Sequence, residues 1–71
     1  MINEQFGRKL QMLRQDHHLE PLQVAKMLGI STKDYQAMEQ GELTVKLDLL
    51  EKIAKAFNVS VAELMKGVEE L

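Results

Sequence analysis

Apolar residues recur at helical spacing along most of this chain. Near the start, Phe6, Leu10 and Leu13 are separated by four and three residues, which predicts one buried stripe on a helix over residues 3–16. The same spacing returns later, and it predicts a helix over residues 45–57 with Leu47, Leu50, Ile53, Ala54 and Phe57 facing inward. No segment alternates apolar and polar residues as a strand would, so the pattern predicts an all-α fold.

Capping and turn residues predict where the other helices begin and end. Pro21 suits the first position of a helix over residues 21–28, and Gly29 suits the left-handed position after it. Ser31 with Asp34 predicts the start of a third helix, over residues 32–40, before Gly41. Further boundaries follow the same logic. Asn3 is the expected N-cap of helix one, and Asn58 is a left-handed exit from helix four. Ser60 with Glu63 predicts the start of helix five, which ends near residues 66–67.

The small residue Ala25 lies in the middle of helix two, where a larger side chain would hold helices two and three apart. The buried core follows from these assignments. We expect it to comprise Phe6, Leu10, Leu13, Val24, Ala25, Leu28, Ile30, Tyr35, Met38, Leu50, Ile53, Ala54 and Phe57.

The composition limits the classes of protein that fit. Seventy-one residues predict one domain over residues 1–71, and 45% hydrophobic with 28% charged residues predicts a globular chain. There is no cysteine, and no apolar run approaches the ~18 residues of a membrane span. The polar start of the chain lacks the apolar stretch of a signal peptide, so we expect a cytoplasmic location.

No motif in the sequence predicts catalysis, a cofactor or a metal site. His17 and His18 are adjacent, so on a helix end their side chains point in different directions, and no further ligands lie at suitable spacing. Nucleophile constellations, glycine-rich phosphate loops and paired catalytic carboxylates are not found. We therefore expect a protein that is not an enzyme.

The segment LEPLQVAKMLGISTKDYQAMEQG, residues 19–41, resembles the helix-turn-helix of the XRE-type family, whose fold is that of lambda repressor and Cro. The downstream run LLEKIAKAFNVSVAELM resembles the fourth and fifth helices of that family. The resemblance implies a five-helix lambda-repressor-like bundle with the helix-turn-helix at about residues 21–40. It also implies a sequence-specific DNA-binding transcription regulator. The framework positions are Leu19, Val24, Ala25, Leu28, Gly29, Ile30, Ser31, Tyr35, Met38, Glu39 and Gly41.

The same resemblance assigns roles to individual residues. Arg14 and Glu39 match a pair that joins helices one and three, which is a structural role. Helix three would be the recognition helix, and side chains such as glutamine and lysine can bind base edges in the major groove. The expected DNA-binding residues are Thr32, Lys33, Gln36, Ala37 and Gln40 of helix three, with Lys46 as a phosphate contact. Leu22 departs from the family, and two roles stay open for it: contact with a sugar or a thymine methyl of DNA, or contact with another protein.

Some residues favour a different function. The formal net charge is −2, whereas DNA-binding domains usually carry a basic face. Pro21 replaces a glutamine that commonly contacts phosphate in the family, Leu22 replaces a polar residue, and Asp34 would repel phosphates. The alternative is a protein-interaction module on the same scaffold, such as an antirepressor, an antitoxin-like protein or an assembly partner, with weak or no DNA binding.

Apolar residues near the end of the chain exceed what a small core needs. A surplus apolar face on a small domain usually marks a partner, and a two-fold homodimer would bury it twice. Such a dimer would set two recognition helices about 34 Å apart, as a pseudo-palindromic site requires. The candidate dimer region is residues 61–71 with part of helix four, and its residues are Leu49, Val61, Met65, Val68 and Leu71.

Overall fold

The computed structural model describes residues 2–66, with side chains from residue 4 onward. The described part contains five helices and no strand, which confirms the all-α, five-helix prediction. The helices are α1 (Ile2–Asp16), α2 (Pro21–Leu28), α3 (Thr32–Glu39), α4 (Leu47–Ala56) and α5 (Val61–Met65). None of them is long and apolar enough to cross a bilayer.

Most of the predicted helix ends are present. The Ser31 hydroxyl accepts a hydrogen bond from the Asp34 backbone N–H at 3.0 Å, and Ser60 accepts one from Glu63 at the same distance. Gly29 and Asn58 both adopt the left-handed conformation, with φ of 74° and 58°. These local hydrogen bonds and backbone angles determine where α3 and α5 begin and where α2 and α4 end.

Two predicted boundaries were wrong. Asn3 is not an N-cap, because α1 already includes Ile2. Helix α4 begins at Leu47 with Lys46 as its N-cap, two residues later than predicted. Helix α2 begins at Pro21, as predicted, but its N-cap Glu20 was not foreseen; the Glu20 backbone N–H donates to the Gln23 side-chain oxygen at 2.7 Å.

A single apolar core joins the helices. Ten of the predicted core residues are buried, and an eleventh buried residue, Leu64, was not predicted. The ten are Phe6, Leu10, Val24, Ala25, Leu28, Tyr35, Met38, Ile53, Ala54 and Phe57. Leu13, Ile30 and Leu50 are only partly buried against this core. The inward orientation predicted for Leu47 was wrong, since this first residue of α4 is 61% exposed.

Gly7 allows α1 and α3 to pack at unusually close range. A Cβ atom placed on Gly7 would lie 2.4 Å from the Glu39 carbonyl oxygen and 2.7 Å from that of Met38. Both neighbours are backbone atoms, so neither can rotate away as a side chain could. Only glycine therefore fits at this point of α1, and its absence of a side chain determines how closely the last turn of α3 approaches α1.

Candidate nucleic-acid interface

Helices α2 and α3 form the predicted helix-turn-helix. The turn between them is closed by backbone hydrogen bonds, since the Gly29 N–H donates to the Lys26 carbonyl and the Ile30 N–H to the Ala25 carbonyl. Ala25 itself is 1% exposed. This double closure, with a left-handed residue at Gly29, fixes the direction in which α3 leaves α2.

The residues of α3 divide between an inner and an outer side. Tyr35 and Met38 are buried in the core, whereas Lys33, Gln36 and Gln40 are exposed. Of the other predicted contacts on this helix, Thr32 and Ala37 are half-buried. The exposed side of α3, with its C-cap Gln40, therefore presents one ammonium group, two amides and the Asp34 carboxylate. The ammonium group and the amides are donors and acceptors able to bind base edges.

A hydrogen-bonded cluster holds the inner side of α3 against α1. The Arg14 Nε lies 2.6 Å from Glu39 Oε2, and its Nη2 lies 3.3 Å from Oε1, as the family resemblance implies for this pair. Their side chains are 13% and 11% exposed. Arg14 Nη1 also donates to the Leu19 carbonyl at 3.0 Å, which ties the loop before α2 to the same group.

Tyr35 adds a third member to this cluster, since its hydroxyl donates to Glu39 Oε2. The hydrogen bond to Glu39 raises the pKa of Arg14, and burial is the main cause of the raised pKa of Tyr35. Arg14 is therefore charged and Tyr35 neutral at physiological pH. From the sequence, Tyr35 was predicted as a core and framework residue and not as a partner of Glu39, although its spacing of four residues from Glu39 was a signal for contact on one helix face.

The two predicted contacts outside α3 lie at the starts of other helices. Leu22 is the second residue of α2 and is 53% exposed. Lys46 is exposed at the N-cap of α4. The loop before α4 also exposes Leu43 and Glu42, so an apolar and an acidic residue lie within four positions of Lys46 in the chain.

The predicted dimer residues are only partly available for an interface. Leu49, Val61 and Met65 are half-buried and pack against the protein's own core. Val68 and Leu71 lie outside the described residues.

The two histidines show no arrangement for metal binding. His17 places Nδ1 2.8 Å from the Leu13 carbonyl, and its ring packs 5.1 Å from the Phe57 ring. Within residues 2–66, no group of three or more histidine, cysteine or acidic side chains is placed to hold a metal ion.

The chain is similar to two transcription regulators and an antitoxin. It is 36% identical over 64 residues to the transcriptional repressor RstR of the cryptic phage CTXphi from Vibrio cholerae, an alignment covering 90% of this chain and 58% of RstR. It is 32% identical over 60 residues to the antitoxin PezA of Streptococcus pneumoniae, an alignment covering 84% of this chain and 38% of PezA. It is 34% identical over 65 residues to the transcriptional activator BcrR of Enterococcus faecalis, an alignment covering 92% of this chain and 32% of BcrR. The chain thus spans less than two thirds of each of these relatives.

The fold has a close counterpart among solved structures. The clp gene regulator ClgR of Corynebacterium glutamicum superimposes with a TM-score of 0.90 at 24% identity, over 96% of this chain and 72% of that one. At that identity the similarity concerns the fold alone. The model of the Cro/C1-type helix-turn-helix DNA-binding domain matches residues 9–70. With the helix-turn-helix geometry described above, this match shows that the chain belongs to the Cro/C1-type, or XRE-type, family of DNA-binding regulator domains.

Proposed function

We propose that this protein is a sequence-specific transcription regulator that binds DNA as a homodimer, with α3 in the major groove. The observation that carries the proposal is the division of α3. Its outer side exposes Lys33 and Gln36, with Gln40 exposed at its C-cap, and its inner side is anchored to α1 through Glu39 and Arg14. A recognition helix needs both properties, because base contacts require groups held at a fixed orientation.

The chemistry of each exposed group suits a different part of the duplex. Gln36 can form two hydrogen bonds with adenine, and Lys33 can bind the acceptor atoms of guanine. Lys46, at the start of α4, would bind a phosphate and so set the register without specifying sequence. Leu22 cannot donate a hydrogen bond and would contact a sugar or a thymine methyl.

A homodimer would compensate for the weak field of an acidic subunit. The formal charge of −2 predicts that a single domain binds DNA weakly and with strong salt dependence. Two subunits on a pseudo-palindromic site double the phosphate contacts, and linking two binding events raises overall affinity without new kinds of contact. We propose helix α5 and the adjoining part of α4 as the centre of the dimer.

Fluorescence anisotropy with a labelled random-sequence duplex tests DNA binding itself. We expect weak binding that falls steeply as salt rises from low to moderate concentration, because bound lysines release counterions from the phosphates. Selection of tight binders from random duplexes should then yield a two-fold symmetric site. A duplex that fails to bind at any salt concentration would rule out this function.

Substitutions on the proposed DNA face should have distinct effects on binding. We expect Gln36→Ala to lose roughly 1–3 kcal/mol of discrimination at one base position of the selected site, and Lys46→Ala to weaken all sequences alike and reduce the salt slope by about one unit. Anisotropy on selected and random duplexes measures both. Lys55→Ala, an exposed lysine on the other half of α4, is the matched control and should change neither. Equal losses on both duplexes for Gln36→Ala would exclude it from base recognition.

The dimer is tested by analytical ultracentrifugation at micromolar concentration. We expect a dimeric species that Met65→Glu converts to an 8.1 kDa monomer, because a carboxylate at a buried interface is costly. Met12→Glu is the matched control, since Met12 is 58% exposed on α1, outside the proposed interface. Circular dichroism verifies that each variant is folded. A wild-type protein that sediments as a monomer would refute the homodimer.

A second candidate function is protein interaction on the same scaffold. The exposed Leu22 and Leu47, at 53% and 61%, and the acidic Asp34 and Glu42 favour it. The relative PezA is named an antitoxin. The anisotropy experiment separates the two functions, because an interaction module would show no salt-sensitive duplex binding.

A further inference from the structure

A second surface feature lies at the other ends of α2 and α4 from Leu22 and Lys46. The C-terminal halves of these two helices form an open groove with a volume of about 620 Å³. We call it the lysine groove, and it is lined by Lys26, Met27 and Gly29 from α2 and its C-cap and by Lys52, Lys55 and Ala56 from α4. Its size falls within the range of clefts that hold small ligands or a few residues of a peptide, roughly 300–1,000 Å³.

The lysine groove concentrates positive charge in an acidic protein. Three of the nine basic residues of the chain line it, and no aspartate or glutamate does, although acidic residues outnumber basic ones by eleven to nine overall. Within residues 2–66, none of these three ammonium groups takes part in an ion pair or hydrogen bond. The lining itself therefore carries three positive charges, which are partly offset by roughly half a negative charge at each helix C-terminus and by Asp48 and Glu51 one turn earlier on α4.

Apolar surface lies between the lysines. Met27 is 50% exposed, and its side chain together with Ala56 and the bare Gly29 gives the groove an uncharged floor. Methionine is flexible and polarizable, which suits contact with varied apolar side chains. A phosphate backbone would use the charges but leave this apolar surface unused, whereas a polypeptide with both acidic and apolar side chains would use both.

We propose that the lysine groove binds an acidic, apolar segment of a partner protein, with glutamate or aspartate side chains on the lysines and an aliphatic side chain against Met27. Asp48 and Glu51 lie one turn earlier on α4 and line a neighbouring depression with Lys52 and Lys55. They repel an acidic ligand and so direct it toward the α2 side of these lysines. The groove uses none of the residues assigned to DNA, and the proposal stands without DNA binding.

Nuclear magnetic resonance on the ¹⁵N-labelled chain tests the proposal with three probes. These are a capped five-residue peptide that alternates glutamate and leucine, the same peptide with glutamine for glutamate, and a random-sequence DNA duplex. We expect the acidic peptide to shift the backbone amides of residues 26–29 and 52–56 in a saturable way at millimolar concentration or below, and the glutamine peptide to bind about tenfold more weakly.

Matched variants determine whether the lysines are responsible. Lys52→Gln combined with Lys55→Gln should weaken binding of the acidic peptide about tenfold. Lys33→Gln combined with Lys46→Gln should keep the affinity for this peptide within about twofold of the wild-type value. All four lysines are exposed, so each variant should keep the dispersed spectrum of the folded protein.

Four outcomes would overturn the proposal: no saturable shifts with the acidic peptide, shifts located elsewhere, equal binding of the glutamine peptide, or binding that survives removal of Lys52 and Lys55. A duplex that shifts residues 26–29 and 52–56 and displaces the peptide would assign the groove to nucleic acid instead.

Discussion

Gly7→Ala is expected to destabilise the fold by about 3 kcal/mol, the upper end of the usual cost of forcing extra atoms into a packed interior. Alanine is normally the better helix residue by roughly 0.8–1.0 kcal/mol, so helix propensity alone predicts the opposite sign. The contact geometry decides, because the added Cβ would lie 2.4 Å and 2.7 Å from two carbonyl oxygens of α3. To relieve this overlap, α1 and α3 would have to move apart.

Thermal unfolding followed by circular dichroism measures this effect. A loss of about 3 kcal/mol should lower the Tm by roughly 12–24 °C in a domain of this size. Gly29→Ala is the comparison, since a Cβ there meets no atom within 4 Å and only the φ of 74° opposes it, at a cost of about 1–2 kcal/mol. A Gly7→Ala variant with an unchanged or higher Tm would show that the two helices do not need this close approach.

Glu39→Ala is expected to cost about 3 kcal/mol, because it leaves the Arg14 guanidinium with little solvent and without its carboxylate partner. The Tyr35 hydroxyl loses its acceptor in the same substitution. Tyr35→Phe removes only that hydroxyl and should cost about 1 kcal/mol, the usual net value of one hydrogen bond. Urea unfolding of the wild-type protein, Glu39→Ala and Tyr35→Phe measures the differences in the free energy of unfolding.

A double-mutant cycle shows whether the loss arises from the pair. Arg14→Ala combined with Glu39→Ala should cost less than the sum of the single substitutions, since the second removal no longer leaves a buried charge alone. Additive losses would mean that Arg14 and Glu39 do not interact in solution.

The pH dependence follows from Tyr35. Its pKa in the folded protein lies above the ordinary value of 10.0, so the unfolded chain releases this proton first as pH rises. The contribution of Tyr35 to stability is therefore complete below pH 10 and declines above it. In Tyr35→Phe, this part of the loss of stability above pH 10 should be absent.

Local signals in the sequence were sufficient for the helices. Ser31, Ser60, Gly29 and Asn58 act on the backbone within a few residues, so their effects could be predicted before any tertiary contact was known. The cap at Glu20 was missed, because glutamate is not a preferred capping residue and depends here on a hydrogen bond with Gln23.

Features that depend on packing between helices were not predictable in the same way. Gly7 is an unremarkable helix residue until α3 lies against it, and Leu64 joins the core only through the position of α5. The lysine groove requires Lys26 and Lys55, 29 residues apart in sequence, to line one surface. The periodicity of apolar residues predicts which face of each helix is buried, but not which faces pack against each other.

The candidate DNA site was predicted by resemblance rather than by chemistry. Polar residues on the outer side of α3 are what any surface helix shows, so Lys33 and Gln36 alone carried little information. The surplus of apolar residues at Leu49, Val61 and Met65 was also ambiguous, since the sequence cannot tell surface left for a partner from surface the domain uses itself.

The two-sided character of α3 has a consequence for how such domains diverge. Residues that hold the helix in place and residues exposed on its outer side are separate sets, so a substitution at position 33, 36 or 40 has little effect on the free energy of unfolding. The outer surface can therefore change while the scaffold is kept. A fold shared with ClgR at 24% identity is consistent with such independent change of surface and frame.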